Sequence, residues 1–194
     1  MYNTPMPEIR ITKEEILSKN WYILKKITFD YRKKDGTWQT QNREAYDRGN
    51  GAVILLYNTQ QRTVILTRQF RLPTFINGNA SGMMIEACAG LLDADQPEVA
   101  IKRETEEETG YQIKEVTKIF ESYMSPGSVT EILHFFVAEY SNEKKINEGG
   151  GLEDEDIDVL ELPFGKALDM IKTGEIKDAK TIMLLYHAHV HKIL

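Results

Sequence analysis

The alternation of apolar and polar positions divides the chain into short strands and a few helical runs. Trp21 to Tyr31, with Trp21, Ile23, Ile27 and Phe29 among its apolar positions, predicts a strand. Lys34-Asp35-Gly36 supplies a turn and Thr37 to Tyr46 returns as a second strand. Asp-Gly between two such runs is a hairpin signal, because both residues tolerate the backbone that a tight turn needs. Asp47-Arg48-Gly49-Asn50-Gly51 reads as a boundary, which gives an N-terminal β unit over 1–46 and a main domain over 47–194. Two apolar strands follow, Ala52–Tyr57 and Thr63–Phe70, separated by the polar turn Asn58–Arg62. Met83–Ala87, Val116–Tyr123, Ile132–Tyr140 and Val159–Leu162 are further strands. Pro97 to Thr109 predicts a helix, with Pro in its first turn and Gly110 just past its end. Gly149-Gly150-Gly151 is expected to open a mobile acidic loop. Pro163–Lys172 predicts a helix stopped near Gly174, and Asp178 is placed to cap a last helix running towards Lys192. Interspersed strands and helices place the fold in the α/β or α+β class.

Composition narrows this picture. Of 194 residues, 41% are hydrophobic, enough for a real core and against global disorder. No apolar run approaches the roughly 20 residues of a membrane span, and Met1 to Glu15 lacks the apolar block of a secretory signal. The single cysteine, Cys88, has no intramolecular partner, so a reducing cytoplasm is the expected compartment. The net charge is −6 and no Lys/Arg cluster dominates, which argues against a nucleic-acid-binding face. An acidic protein that handles phosphates needs local positive charge, and metal ions held by carboxylates would supply it.

The densest chemistry lies in Arg103-Glu104-Thr105-Glu106-Glu107-Glu108-Thr109-Gly110. Glu104 and Glu108 are one helical turn apart and share a face, which suits chelation of a hard divalent cation. The plain alternative is a solvated acidic face near a helix end, which would oppose the helix dipole. The wider window favours chelation. Gly90-Leu91-Leu92-Asp93 followed by this helix resembles the Nudix box, G-x5-E-x7-R-E-U-x-E-E-x-G-U, through Arg103, Glu104, Glu107, Glu108, Gly110 and Tyr111. Three departures stand out: Gln96 occupies the slot of the first Glu, the interval from it to Arg103 is one residue short, and Thr105 fills a usually aliphatic slot. Ala87-Cys88-Ala89-Gly90-Leu91, Arg68-Gln69-Phe70-Arg71 and Ser125-Pro126-Gly127 with Glu131 resemble segments of the ADP-ribose and sugar-nucleotide pyrophosphatases of that superfamily. Tyr46-Asp47-Arg48-Gly49-Asn50-Gly51, Tyr123-Met124-Ser125-Pro126-Gly127, Gly149-Gly150-Gly151 with Glu153-Asp154-Glu155-Asp156, and Lys172-Thr173-Gly174-Glu175-Ile176 resemble the bacterial GDP-mannose pyrophosphatase group.

The resemblance implies an α+β fold, a Nudix α/β/α sandwich with a mixed sheet, beside the small N-terminal β unit. It implies an Mg²⁺-dependent hydrolase, with Mn²⁺ as a substitute, acting on a nucleotide sugar, GDP-mannose to GMP and mannose 1-phosphate. It places metal ligands at Glu104, Glu107, Glu108 and the main-chain carbonyl of Ala89. A further ligand and general base is expected among Glu153, Asp154, Glu155 and Asp156, with Glu155 favoured over a plain acidic surface loop. Glu108, Glu155 and Glu104 are thus the expected catalytic set. Arg71 is expected on a phosphate, since guanidinium grips phosphate oxygens in a fork. Ala89, Gly90, Leu91 and Asp154 are expected along the substrate, and Glu131 and Lys180 at the sugar or phosphates unless they are surface residues. Arg43 and Glu44 are expected at the nucleotide, with Trp21 stacking on its base or else packing in the core. In related families the N-terminal unit exchanges across a homodimer, so a homodimer is expected, with no nucleic-acid partner and no membrane.

Other residues carry less. His187, His189 and His191 invite a metal reading, but only His187 and His191 share a helix face, so a solvated terminal helix is the better account. Cys88 lies in an apolar stretch with no activating base nearby in sequence and reads as core. Rival functions are an ADP-ribose pyrophosphatase, a non-catalytic nucleotide-sugar sensor and an acidic interaction protein without catalysis. The intact Glu104/Glu107/Glu108 set speaks against the last two.

Overall fold

The structure is a computed structural model and describes residues 7–152 and 155–194. The chain divides into two compact units: one up to Gly49 together with Ser125–Glu131, the other Asn50–Met124 with Ile132–Leu194.

The first unit is an antiparallel meander of β1 (Ile9–Lys19), β2 (Ile23–Arg32) and β3 (Trp38–Asp47). The Asp-Gly turn forms as expected, with Gly36 N–H donating to Lys33 O at 2.9 Å and Asp35 Oδ1 accepting from Thr37 N–H at 2.9 Å. Ser125–Glu131 joins this unit through Tyr46 N–H to Ser128 O at 2.8 Å and Thr130 N–H to Tyr46 O at 3.1 Å. Two corrections apply. β1 was not anticipated, and β2 begins at Ile23, which leaves Trp21 in the turn between β1 and β2.

The second unit is built on a mixed sheet in the order β10-β5-β4-β9-β8, with β6 paired to β5 and β7 to β4. Its strands are β4 (Gly51–Asn58), β5 (Thr63–Phe70), β6 (Met83–Glu86), β7 (Ala89–Leu91), β8 (Thr117–Tyr123), β9 (Ile132–Glu139) and β10 (Asp158–Pro163). Among the described strands only β4 and β9 pair in parallel. Successive side chains on a strand point to opposite faces, so β4 feeds two cores at once. Val53 and Leu55 join Val64, Leu66, Phe135 and Val137 against Phe164, Ala167, Leu184, Leu185 and Ala188 of α3 (Phe164–Thr173) and α4 (Ala179–Val190). Ala52, Ile54 and Leu56 join Ile65, Phe136 and Ala138 on the other face, with Ile101 of α2 (Pro97–Thr109). The result is a mixed sheet between helices, the α+β architecture that was expected. Both faces are covered, which is why these strands read as nearly continuous apolar runs.

α2 begins and ends at the expected residues, and Asp178 caps α4 by accepting from Thr181 N–H at 3.0 Å. The structure adds α1 (Leu72–Ile76), a short helix with no buried residue, and the three-residue β7. Among the described residues no helix is long and apolar enough to cross a membrane.

Candidate functional site

α2 packs its inner face on the sheet, and this places its carboxylates unequally. Ala100, Ile101, Thr105, Glu108 and Thr109 are buried. Thr105 suits its apolar slot because its hydroxyl donates to Ile101 O at 2.6 Å, so no polar group is left bare. Glu108, on the same face, is only 3% exposed, and one oxygen accepts from Ala89 N–H at 3.3 Å. Burial, reinforced by the nearby charges of Glu104 and Glu155, pushes Glu108 up to about 7 despite Cys88 and Arg71. Glu104 is raised by burial and by Glu107 and Glu155, against the opposing charge of Arg103. Arg103 pairs with Glu104 at 2.9 Å and with Glu107 at 3.1 Å, which steadies the solvent side of the helix.

β7 forms the opposite wall. Gly90 gives the Glu104 carboxyl its room: a β-carbon at this position would overlap it. The Ala89-Gly90-Leu91 segment thus lies directly against Glu104 and Glu108. Cys88 is fully buried beside them, and burial pushes its thiol up, consistent with an inert core residue.

The glycine run that opens the acidic loop is tied to the end of α2. Gly150 N–H donates to Glu108 O at 2.9 Å and Gly151 N–H to Glu107 O at 3.1 Å, satisfying carbonyls that the end of α2 leaves open. Gly149 has a φ of 69°, and a β-carbon there would overlap Glu108 O. These bonds dock the segment on α2 and bring Glu155 close enough for its charge to be felt at both Glu104 and Glu108. Glu155 Oε2 accepts from Leu152 N–H at 2.9 Å. Asp154, with Glu153, lies outside the described residues. Among those described, no three His, Cys, Asp or Glu side chains already close around one point. The donor set is nonetheless that of a hard-cation site: carboxylates that repel one another, with a backbone strand alongside.

A second constellation joins β6 to α4. Glu86, 3% exposed, accepts from Arg71 Nε at 2.9 Å and Nη2 at 3.0 Å, and from Lys180 Nζ at 2.6 Å. Lys180 also donates to Asp178 at 2.9 Å. Burial would raise Glu86, but Arg71 and Lys180 outweigh it and hold the carboxyl down to about 2. Arg71 and Lys180 were singled out in the sequence; Glu86 and the ionic role of Asp178 were not. The available signal was a glutamate within the apolar run Met83–Ala87, since a buried carboxylate demands a cation. The first-Glu slot of the box has a similar resolution. Gln96 is the N-cap residue of α2, whereas Asp95 Oδ2 lies 3.9 Å from Arg103 Nε and keeps the seven-residue interval to it.

In the N-terminal unit, Trp21 is 85% exposed, so the core-packing alternative is excluded there. Arg43 is exposed and bonds its own strand, donating to Asn42 O at 2.7 Å and Gln41 Oε1 at 3.0 Å; Glu44 is exposed on the same strand. Glu131 lies 3.5 Å from Arg48 Nε. His187 and His191 stack at 4.2 Å, with His187 against the ring of Phe120, as packing residues.

The NUDIX domain family matches residues 47–185, covering α2, β7 and the Glu86 cluster. The chain belongs to the Nudix family. Residues 8–46 match the GDP-mannose pyrophosphatase NudK N-terminal domain. Over 187 residues the Nudix chain is 58% identical to the GDP-mannose pyrophosphatases of Escherichia coli strains K12 and HS, covering 96% of this chain and 98% of each relative. In fold it is similar to a crystal structure of an ADP compounds hydrolase, with a TM-score of 0.68 and 18% identity over 92% of this chain and 91% of that one.

Proposed function

We propose that this protein is an Mg²⁺-dependent pyrophosphatase that converts GDP-mannose to GMP and mannose 1-phosphate. The carrying observation is the pair of Glu108, buried, and Glu104, half-buried, against Ala89-Gly90-Leu91 with Glu155 near enough to raise both. Such mutual repulsion is relieved by a divalent cation. The extent of identity to enzymes named GDP-mannose pyrophosphatase supports the substrate.

Glu104, Glu107, Glu108, Glu155 and the carbonyl of Ala89 would hold the metal. When bound, Mg²⁺, or Mn²⁺ in its place, supplies charge neutralisation on the diphosphate and favours deprotonation of the attacking water. Glu155 is the proposed acceptor of that proton. Arg71 contributes a guanidinium to a phosphate oxygen. Ala89, Gly90 and Leu91 offer a strand backbone to the substrate, and Lys180, Glu131 and Asp154 are proposed contacts to its sugar or phosphates. Trp21, Arg43 and Glu44 are proposed contacts to the nucleotide, and the exposed indole of Trp21 suits stacking on a base. A homodimer is also proposed, supported by the exposed apolar residues Ile9, Ile11, Ile16, Leu17 and Trp38 of the N-terminal sheet. A cytoplasmic location accompanies this reading. Chromatographic identification of products from GDP-mannose and Mg²⁺ tests it: GMP and mannose 1-phosphate support the assignment, while intact substrate, or GDP and mannose, refutes it.

A further inference from the structure

Arg71 and Lys180, which come from distant segments, converge on one buried carboxylate. Glu86 grips the Nε and Nη2 edge of Arg71 with both of its oxygens, at 2.9 and 3.0 Å, and shares one of them with Lys180 at 2.6 Å. The grip is anchored from behind. Ala87 N–H donates to Thr181 Oγ1 at 2.7 Å, Thr181 Oγ1 donates to Asp178 at 2.6 Å, and Asp178 accepts from Lys180. The lysine side of this cluster is enclosed and would tie β6 to α4 without any arginine. Arg71 is the exception: its side chain is 40% exposed, and Nη1 has no hydrogen-bond partner among the described residues.

We infer that Glu86 is a positioning residue for substrate binding, fixing the guanidinium plane of Arg71 so that its free Nη1 edge is presented to the diphosphate. This inference rests on the diphosphate-sugar reading above. Glu86 itself touches no substrate. Its contribution is to order a long, flexible side chain before binding, so that this ordering is not required when the substrate arrives. A Gln at 86 retains an acceptor but loses the charge and the second acceptor oxygen. An Asp retains the charge but withdraws the carboxylate from the fork by one methylene.

The test is a double-mutant cycle on GDP-mannose hydrolysis with wild type, Glu86→Gln, Arg71→Ala and the double variant. Glu86→Gln is expected to raise KM about tenfold, the scale set by ordering one long side chain, while kcat changes less than about twofold. In the Arg71→Ala background the same substitution is expected to change KM by less than about threefold, because Arg71 is gone and Lys180, the other cation on Glu86, is still held by Asp178. Glu86→Asp serves if the Gln variant does not fold, and is expected to shift KM in the same direction. An unchanged KM, a loss confined to kcat, or an effect that persists undiminished without Arg71 overturns the inference. Wild-type turnover in the same series tests the substrate reading separately. If it is absent, the cycle is read on the Kd of inorganic pyrophosphate by calorimetry, where the same loss and the same non-additivity are expected, and their absence overturns the inference equally.

Discussion

Gly90→Ala separates the fold from the chemistry at a single methyl group. The backbone at Gly90 is outside the left-handed region, so alanine meets no conformational strain there. The atoms nearest the added carbon all belong to the end of the Glu104 side chain, which can rotate away. Removing glycine stabilises by about 0.4–1 kcal/mol through the unfolded chain. Displacing Glu104 costs roughly 0.5–1.5 kcal/mol in rotamer strain, and loosening its partly exposed pair with Arg103 costs about 0–1 kcal/mol. The net loss is at most about 2 kcal/mol, so Tm should fall by no more than about 8 °C for a chain of this size. The cation site, by contrast, loses the orientation of one carboxylate, which typically weakens metal affinity by about 10–100-fold. The assay is a Mg²⁺ titration of hydrolysis beside a thermal melt. An unchanged Mg²⁺ requirement would show that Glu104 is not held as a ligand by Gly90, and a collapsed melting transition would show that the overlap falls on the fold instead.

Three further outcomes are expected. Because Glu108 is raised to about 7 from 4.5, its burial favours the protonated form, so stability in chelator should fall as pH rises from about 4.5 through 7. Glu108→Gln should remove that fall and raise Tm at pH 8 while abolishing most turnover; a lower Tm would contradict it. Glu155→Gln should reduce kcat far more than it changes KM, and an unchanged kcat removes Glu155 from the mechanism. Glu86, held down to about 2, contributes stability that is present above about 4.5 and is lost as pH falls towards 2. Urea unfolding should therefore lose roughly 3 kcal/mol across that window in wild type and much less in Glu86→Gln; equal acid sensitivity would refute the assignment.

What was legible in the sequence was written locally. α2 announced itself through Pro97, Gly110 and the acidic spacing, and β4 and β5 through strands buried on both faces. β1 was hidden because it is exposed along most of its length and two register shifts, between Ile11 and Lys13 and between Ile16 and Ser18, break its alternation. α1 buries nothing, so it leaves no amphipathic signal, and β7 exists only through its pairing with β4. The same distinction holds at the site. Glu104 and Glu108 share a face by spacing alone. The Arg71–Glu86–Lys180–Asp178 cluster joins residues far apart in sequence, and no local pattern encodes it. The bonds that tie the glycine run to α2 were hidden for the same reason, since the helix carbonyls that accept them are distant in the chain.

The most direct test of the account is kcat/KM for GDP-mannose and for ADP-ribose, measured with Mg²⁺ for wild type and Glu108→Gln together. The account predicts a strong preference for GDP-mannose, dependent on the metal and lost in the variant. Preference for ADP-ribose, or turnover that survives Glu108→Gln, would contradict it.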